Sequence, residues 1–243
     1  MQERYLGDVH DYVKWALLIH LHNQLGDRIG VNWYKTVPEV VDRPGNEHGN
    51  NRRFRDDPNW QNWKPDLFKK LGQFQDPAYR SFANFIRDEV LPAGTQFAPD
   101  EPLTNEERTT WHQRAVSRLS DAGIVFLDPD NGFQVQSWTR RRKPKYAMFA
   151  EAHDYFEKGK IVIGIQFVSK RDPKLWGREV RRLLLAGTQS ESLPIVRARV
   201  APNILFIALC PKGNAKSLRE AMLSFAAGSQ PFNDGEKRIE LFD

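Results

Sequence analysis

Two short stretches of this sequence carry residues whose types and spacing suit chemistry. The first is Asp128-Pro129-Asp130-Asn131, which follows the apolar run Ile124-Val125-Phe126-Leu127 and is closed by Gly132-Phe133. A β-branched run that stops abruptly at polar groups reads as a buried parallel strand, and open α/β sheets bind ligands at that carboxyl edge. Carboxylates at 128 and 130 stand so close that either one pKa rises or the pair holds a divalent cation. Turn formation alone is the competing account, because Asn131-Gly132 suits positive φ. The second stretch holds Asp8, Asp11 and Lys14 at successive spacings of three, so Asp11 and Lys14 share a helix face. Asp8 also suits the N-cap of that helix, whereas Lys14 stands inside an apolar stripe, where a cation needs a partner.

These residues require a scaffold to position them. Val13, Leu17, Leu18, Leu21 and Leu25 form the core stripe of the helix begun at Asp8, and Gly26 ends it. Residues 29–35 read as a strand with Val31 and Trp33 on one face. Over 36–63 the composition turns to Asn, Arg, Asp, Pro and Gly, which predicts a long polar loop inserted in a single domain of 1–243. Helical patterns return at 66–71 and 78–90, and 91–102 reads as a connector. Thr104 or Asn105 caps a helix carrying Trp111, Ala115, Val116 and Leu119. A helix at about 144–157, a buried strand at 160–167 and a helix at about 173–186 follow. Residues 195–200 and 204–210 are spaced as an antiparallel pair. The expected class is α/β: a mostly parallel sheet with an antiparallel C-terminal strand pair and helices on both faces.

Composition narrows the chemistry. No apolar run among the 243 residues approaches the roughly 18 that a membrane span needs, and Lys14, His20 and His22 interrupt the apolar stretch 12–22, so it is no export signal. The single cysteine, Cys210, excludes a disulfide framework or a cysteine-based zinc cluster and reads as a buried inert thiol. A cytoplasmic location is the expectation. Net charge is +5, concentrated in Arg52-Arg53-Phe54-Arg55, in 140–145 and in 178–182, and seven tryptophans accompany it. Basic clusters with aromatics suit phosphate backbones, so nucleic acid is the expected partner. No His-Glu-x-x-His, P-loop or Gly-x-Gly-x-x-Gly pattern occurs, and His10, His20, His22 and His112 are weak candidates.

In element order and in two motifs, the chain resembles the Rossmann-like S-adenosylmethionine-dependent methyltransferases. Within them it looks most like the bacterial ribosomal RNA adenine-N6 methyltransferases. Gly7-Asp8-Val9-His10-Asp11-Tyr12-Val13-Lys14-Trp15 stands where that family has Asp-Val-Leu-Lys-His, and Asp128 to Asn131 stand where it has Asp-Pro-Pro-Tyr. The resemblance spans most of the chain in order and spacing, but only these motifs in identity. It implies S-adenosylmethionine as cofactor, with Lys14 near its methionine part and Gly7, Asp8, Asp11, Tyr34 and Asp42 around it. It also implies that Asp128 and the Pro129 carbonyl accept hydrogen bonds from an exocyclic amine beside Asp130 and Asn131. Phe133 or Trp138 would stack on the extruded base, and Arg140, Arg141, Lys145 and Gln166 would meet the nucleic acid.

The family's Gly-rich turn after the first strand is missing: 32–39 runs Asn-Trp-Tyr-Lys-Thr-Val-Pro-Glu, and the next glycine is Gly45. A ligand there would instead meet Asp42, Arg43, Asn46 and His48. Asp100 and Glu101 are the nearest acids for a ribose. Two other readings stay open. One is a metal-dependent nuclease or nucleotide hydrolase, mobile-element or defence-associated, with a divalent metal at Asp128, Asp130 and Asn131. The other is a non-catalytic nucleic-acid-binding subunit.

Overall fold

The computed structural model describes residues 1–43, 51–105, 107–135, 138–168, 170–229, 235 and 237–243. Asn46 and His48 lie outside them. The helices are α1 Val9–Leu25, α2 Pro38–Val41, α3 Pro58–Trp63, α4 Pro65–Lys70, α5 Phe82–Arg87, α6 Arg108–Arg118, α7 Phe149–Glu157, α8 Pro173–Leu185 and α9 Lys212–Ala227. The strands are β1 Ile29–Asn32, β2 Gln96–Phe97, β3 Ile124–Leu127, β4 Ile161–Val168, β5 Ile195–Ala198, β6 Asn203–Leu209 and β7 Ile239–Phe242.

The strands form one seven-stranded sheet in the order β2-β1-β3-β4-β6-β5-β7. Its β2, β1, β3 and β4 are parallel, whereas β6 against β4, β5 against β6 and β7 against β5 are antiparallel. The sheet is therefore mixed rather than mostly parallel. The α/β class and the antiparallel pairing of 195–198 with 203–209 stand; β7 and α9 have no counterpart in the sequence reading.

Alternation along each strand splits the core in two. Ile124 and Phe126 join α1, α9 and the aromatic segment 54–91 on one face; Val125 and Leu127 join α6, α7 and α8 on the other. Strands covered on both faces explain the unbroken apolar runs of β3 and β4. The segment 36–63 is less of a polar loop than its composition suggests. Phe54 and Trp60 are buried from it, and Tyr12 packs at 5.5 and 6.0 Å from their rings. Short α2 and α3 also lie within it, each started by a proline at its first turn.

Register places the polar turn. Leu127 pairs with Gly164, and Asp128 N donates to Asn32 O at 2.9 Å, so the β1–β3 ladder continues into the Asp-Pro-Asp-Asn turn. Gln166 then lies alongside Gly132, whose φ of 92° only glycine adopts readily and whose missing Cβ would otherwise stand 2.8 Å from Gln166 Oε1.

Candidate functional site

Asp8 caps α1 as its sequence suggests: its Oδ1 accepts from Asp11 N at 3.0 Å. One helical turn later, Lys14 points toward the end of β3. Its Nζ donates to both oxygens of Asp128, at 2.9 and 3.0 Å, and stands 2.6 Å from Asp11 Oδ1. Asp11 Oδ2 accepts from Gly7 N at 2.9 Å. All three side chains are almost completely buried. The apolar stripe therefore tolerates a lysine because two carboxylates neutralise it where water cannot.

The electrostatics follow from that sharing. Burial favours a neutral Asp11 and outweighs Lys14, pushing its carboxyl up to about 6. Burial likewise raises Asp128 against the pull of Lys14 and the chain's amino terminus. Burial alone would lower Lys14, but Asp11, Asp128 and Asp8 hold it above its ordinary value. His10 completes this wall: its Nδ1 lies 3.5 Å from Asp8 Oδ2, and its Nε2 lies 2.9 Å from Pro202 O. Burial opposes protonation of the ring, yet Asp8 and the Pro202 carbonyl raise its pKa overall.

Asp130, two residues on, has different partners. The Met1 amine stands 3.1 Å from its Oδ1, while Gln2 Nε2 and Thr36 Oγ1 donate to Oδ2 at 3.0 and 2.9 Å. Lys145 Nζ is 3.6 Å away. Burial would raise this carboxyl, but the amine, Lys145 and Thr36 together lower it. Asp42 joins the same network, accepting from Lys145, Gln2 and Arg4 at 2.7, 2.8 and 2.8 Å. The adjacent carboxylates of the turn thus have separate cations rather than one shared ion.

A cavity of about 530 Å³ opens above Asp128, lined by Asp8, His10, Asp11, Lys14, Pro129 and Asn131 toward its floor. Met1, Asp130, Lys145, Tyr146 and Gln166, Arg142 from the basic segment, Arg171 just before α8 and Trp176 in its first turn also reach it. Among the described residues, neither the Arg142 nor the Arg171 guanidinium has a hydrogen-bond acceptor; Arg171 lies 4.1 Å over the Trp176 ring. The Asn131 side chain and the Pro129 carbonyl are likewise unpaired among the described residues. The cavity is therefore acidic and polar within and cationic at its mouth. Protein-family models, curated proteins and solved structures give no match to this chain.

Several residues read as site candidates lie elsewhere. Phe133 is buried, its backbone N–H bonded to Gln166 Oε1 at 3.0 Å and its ring filling the space over Gly164, where any Cβ would collide with it. It cannot stack on a ligand in the cavity. Tyr34 is fully buried, donating to Glu151 Oε2 at 3.0 Å beneath the opposite helices. Gly7 packs on Phe74 and Asp42 is enclosed by its network; neither lines the cavity. Arg140 and Arg141 are exposed outside it, and Arg142 takes the position expected of them. Sequence reading had Arg142 only within the basic run 140–145 and missed Arg171 and Trp176. Arg171 and Trp176 flank the start of α8, and only the sheet order, which packs that helix on β4 and β6, brings them to the cavity.

The other basic clusters are largely consumed by the fold. Arg52 donates to the carbonyls of Leu6 and Phe74 at 2.7 and 3.0 Å, and Arg55 donates to that of Phe68 at 3.0 Å. In α8, Arg178 bonds Asp243 O, Arg181 bonds Leu193 O at 2.8 Å and Arg182 pairs with Glu179 at 2.9 Å. Cys210 is buried, and burial pushes its thiol up to about 12, which suits no nucleophile.

S-adenosylmethionine would find only part of the place the resemblance gives it: Asp8, Asp11 and Lys14 line the open cavity, whereas Gly7, Tyr34 and Asp42 do not. That place is the crevice between the ends of β1 and β3, where the strand order reverses. Met1 is buried beside it, its amine donating to Tyr34 O at 2.7 Å, with Gln2 and Thr36 bonded to Asp130, and both Met1 and Asp130 also line the cavity. The carboxylates that a ribose or an amino group would need there, Asp42 and Asp130, already have partners.

Proposed function

We propose that this chain is an enzyme acting on nucleic acid. Its reacting edge is the Asp128-Pro129-Asp130-Asn131 turn, on a methyltransferase-type sheet whose usual cofactor niche is partly filled by Met1. One observation carries the reading: a single cavity joins a floor of hydrogen-bonding groups to two guanidinium groups without acceptors among the described residues. An unpaired base presents amines and ring nitrogens, which the Pro129 carbonyl, the Asn131 amide and the remaining lone pairs of Asp128 suit. Its phosphate suits Arg142 and Arg171. The strand order supports the same reading, because the turn leaves a central parallel strand and the antiparallel β6 lies between β4 and β5.

Lys14 fixes the Asp128 carboxylate in one orientation, so an amine would meet a preset acceptor. Because Met1 fills part of the methyl donor's niche, the geometry supports recognition of a base more directly than methyl transfer to it. Among the described residues no group of three or more His, Cys, Asp or Glu side chains is arranged for a metal, and nothing favours the nuclease reading.

Titration calorimetry with adenosine and cytidine 5′-monophosphates tests the proposal, alongside S-adenosylmethionine. Saturable nucleotide binding that weakens at least about tenfold in Asp128→Asn and in Arg171→Ala is expected, with no heat from S-adenosylmethionine at millimolar concentration. Absence of nucleotide binding overturns the reading. Undiminished binding by Asp128→Asn overturns the assignment of the reacting edge, and saturable S-adenosylmethionine binding overturns the preference for base recognition over methyl transfer.

A further inference from the structure

Beside the main cavity runs a second hollow of about 540 Å³, lined by Gln134, Val135, Trp138, Phe149 and the outer face of α8. Val135, Arg171 and Trp176 border both spaces, so the two are compartments of one groove divided by the Arg171–Trp176 pair. The walls differ in kind. The first compartment is polar; the second presents half-buried aromatic rings, with Lys143 Nζ 5.2 Å over Trp138 and Phe149 stacked at 5.6 Å on the buried Phe133. The acid in this wall, Glu179, is already paired with Arg182.

We propose that the groove takes a single strand of nucleic acid, with one base in the compartment above Asp128 and the neighbouring base against Trp138 and Trp176. The phosphate joining the two nucleotides would pass Arg171. The inference rests on the nucleic-acid reading above and deepens it, from a nucleotide to a strand. Three observations support it. Aromatic rings beside cations are the usual surface on which successive unpaired bases stack. The divide between the compartments is cationic where a linking phosphate must lie. Lys143, over the Trp138 ring, adds positive charge beside the outer compartment, as Arg142 does at the first. A duplex would need its stacked bases parted to enter either compartment.

Fluorescence anisotropy with labelled adenosine monophosphate, a dinucleotide, a six-nucleotide single strand and a duplex tests the proposal on the full chain. Stacking of the second base should make the dinucleotide and the single strand bind roughly tenfold tighter than the mononucleotide. The duplex should bind more weakly than the single strand. Trp138→Ala, at a half-exposed position outside the main cavity, should erase the length dependence and leave mononucleotide affinity within about twofold. Equal binding of mononucleotide and single strand, or an unchanged length dependence in Trp138→Ala, overturns the strand groove while leaving the nucleotide site intact. If nothing binds the native chain, the nucleic-acid reading itself fails. A Trp138→Ala variant that turns a dimer into a monomer in sedimentation, with oligonucleotide binding unaltered, overturns the proposal in favour of a second copy of the chain in the hollow.

Discussion

Asp128 and Asp130 are two residues apart on one turn, and the fold puts them to different uses. Asp130 lies in an over-supplied network: with Asp42 it has the Met1 amine, Lys145, Arg4, Gln2 and Thr36 around it, and its carboxyl is held below its ordinary value. Asp128 shares one lysine with Asp11, and both carboxyls are raised. The first arrangement binds the chain's beginning to the sheet. The second leaves buried charge incompletely compensated beside an open cavity, the condition under which titratable groups serve ligands. Proximity in sequence therefore says little about role; the number of cations each carboxylate receives says more.

Removing the shared cation should strain that contrast hardest. Lys14→Met leaves Asp11 and Asp128 buried without a counter-ion and should cost about 3–5 kcal/mol of stability near neutral pH. The loss should shrink markedly at pH 4.5, where both carboxyls can take up protons. Urea denaturation at the two pH values measures it, and an equal loss at both would show that Lys14 acts by packing alone.

A smaller effect is expected on the other side of the turn. Asp130→Asn keeps acceptors for Thr36 and Gln2, and Asp42 still holds Lys145, so the cost should be about 1–3 kcal/mol. Nucleotide affinity should fall less than in Asp128→Asn, because the Met1 amine, Gln2 and Thr36 already hold the Asp130 carboxylate. A parallel loss of nucleotide binding, read by calorimetry, would erase the division between the two carboxylates.

The smallest effect sharpens the comparison through pH. Burial raises Asp11 from 3.8 to about 6, so the fold favours its protonated form. Its contribution to stability is present below the unfolded value and is lost as pH rises through about 6. Asp11→Asn cannot titrate, yet it retains an oxygen for Gly7 N. Relative to the native chain, the melting temperature of this variant should therefore improve as pH rises from about 4 to about 6 and change little above that. A difference that is flat with pH would place the proton elsewhere in the cluster.

Much of the scaffold was legible because local patterns and packing agree in it. The start and end of α1 follow from Asp8 and Gly26, and the strand at 124–127 follows from its apolar run. The antiparallel pair near the C-terminus follows from two β-rich runs about a turn apart. Composition misled over 36–63, where polar residues surround a few aromatics that do the packing. It also misled for the basic clusters, because an arginine bonded to buried carbonyls is indistinguishable in sequence from one awaiting a phosphate. The two-residue β2 is too short to show periodicity at all; its pairing with β1 defines it.

Two facts about the site are already fixed along the chain: a polar turn ends a buried strand, and Asp11 and Lys14 lie on one helix face. Both are consequences of local periodicity, which depends only on neighbours in sequence. Folding in three dimensions was needed for the rest. It lets Lys14 clasp Asp128 across 114 positions, sets Met1 and Gln2 into the crevice beside β1, and brings Arg171 and Trp176 to flank the cavity. Those outcomes depend on sheet order and on which cation reaches which buried carboxylate, and neither is written in the spacing of residues.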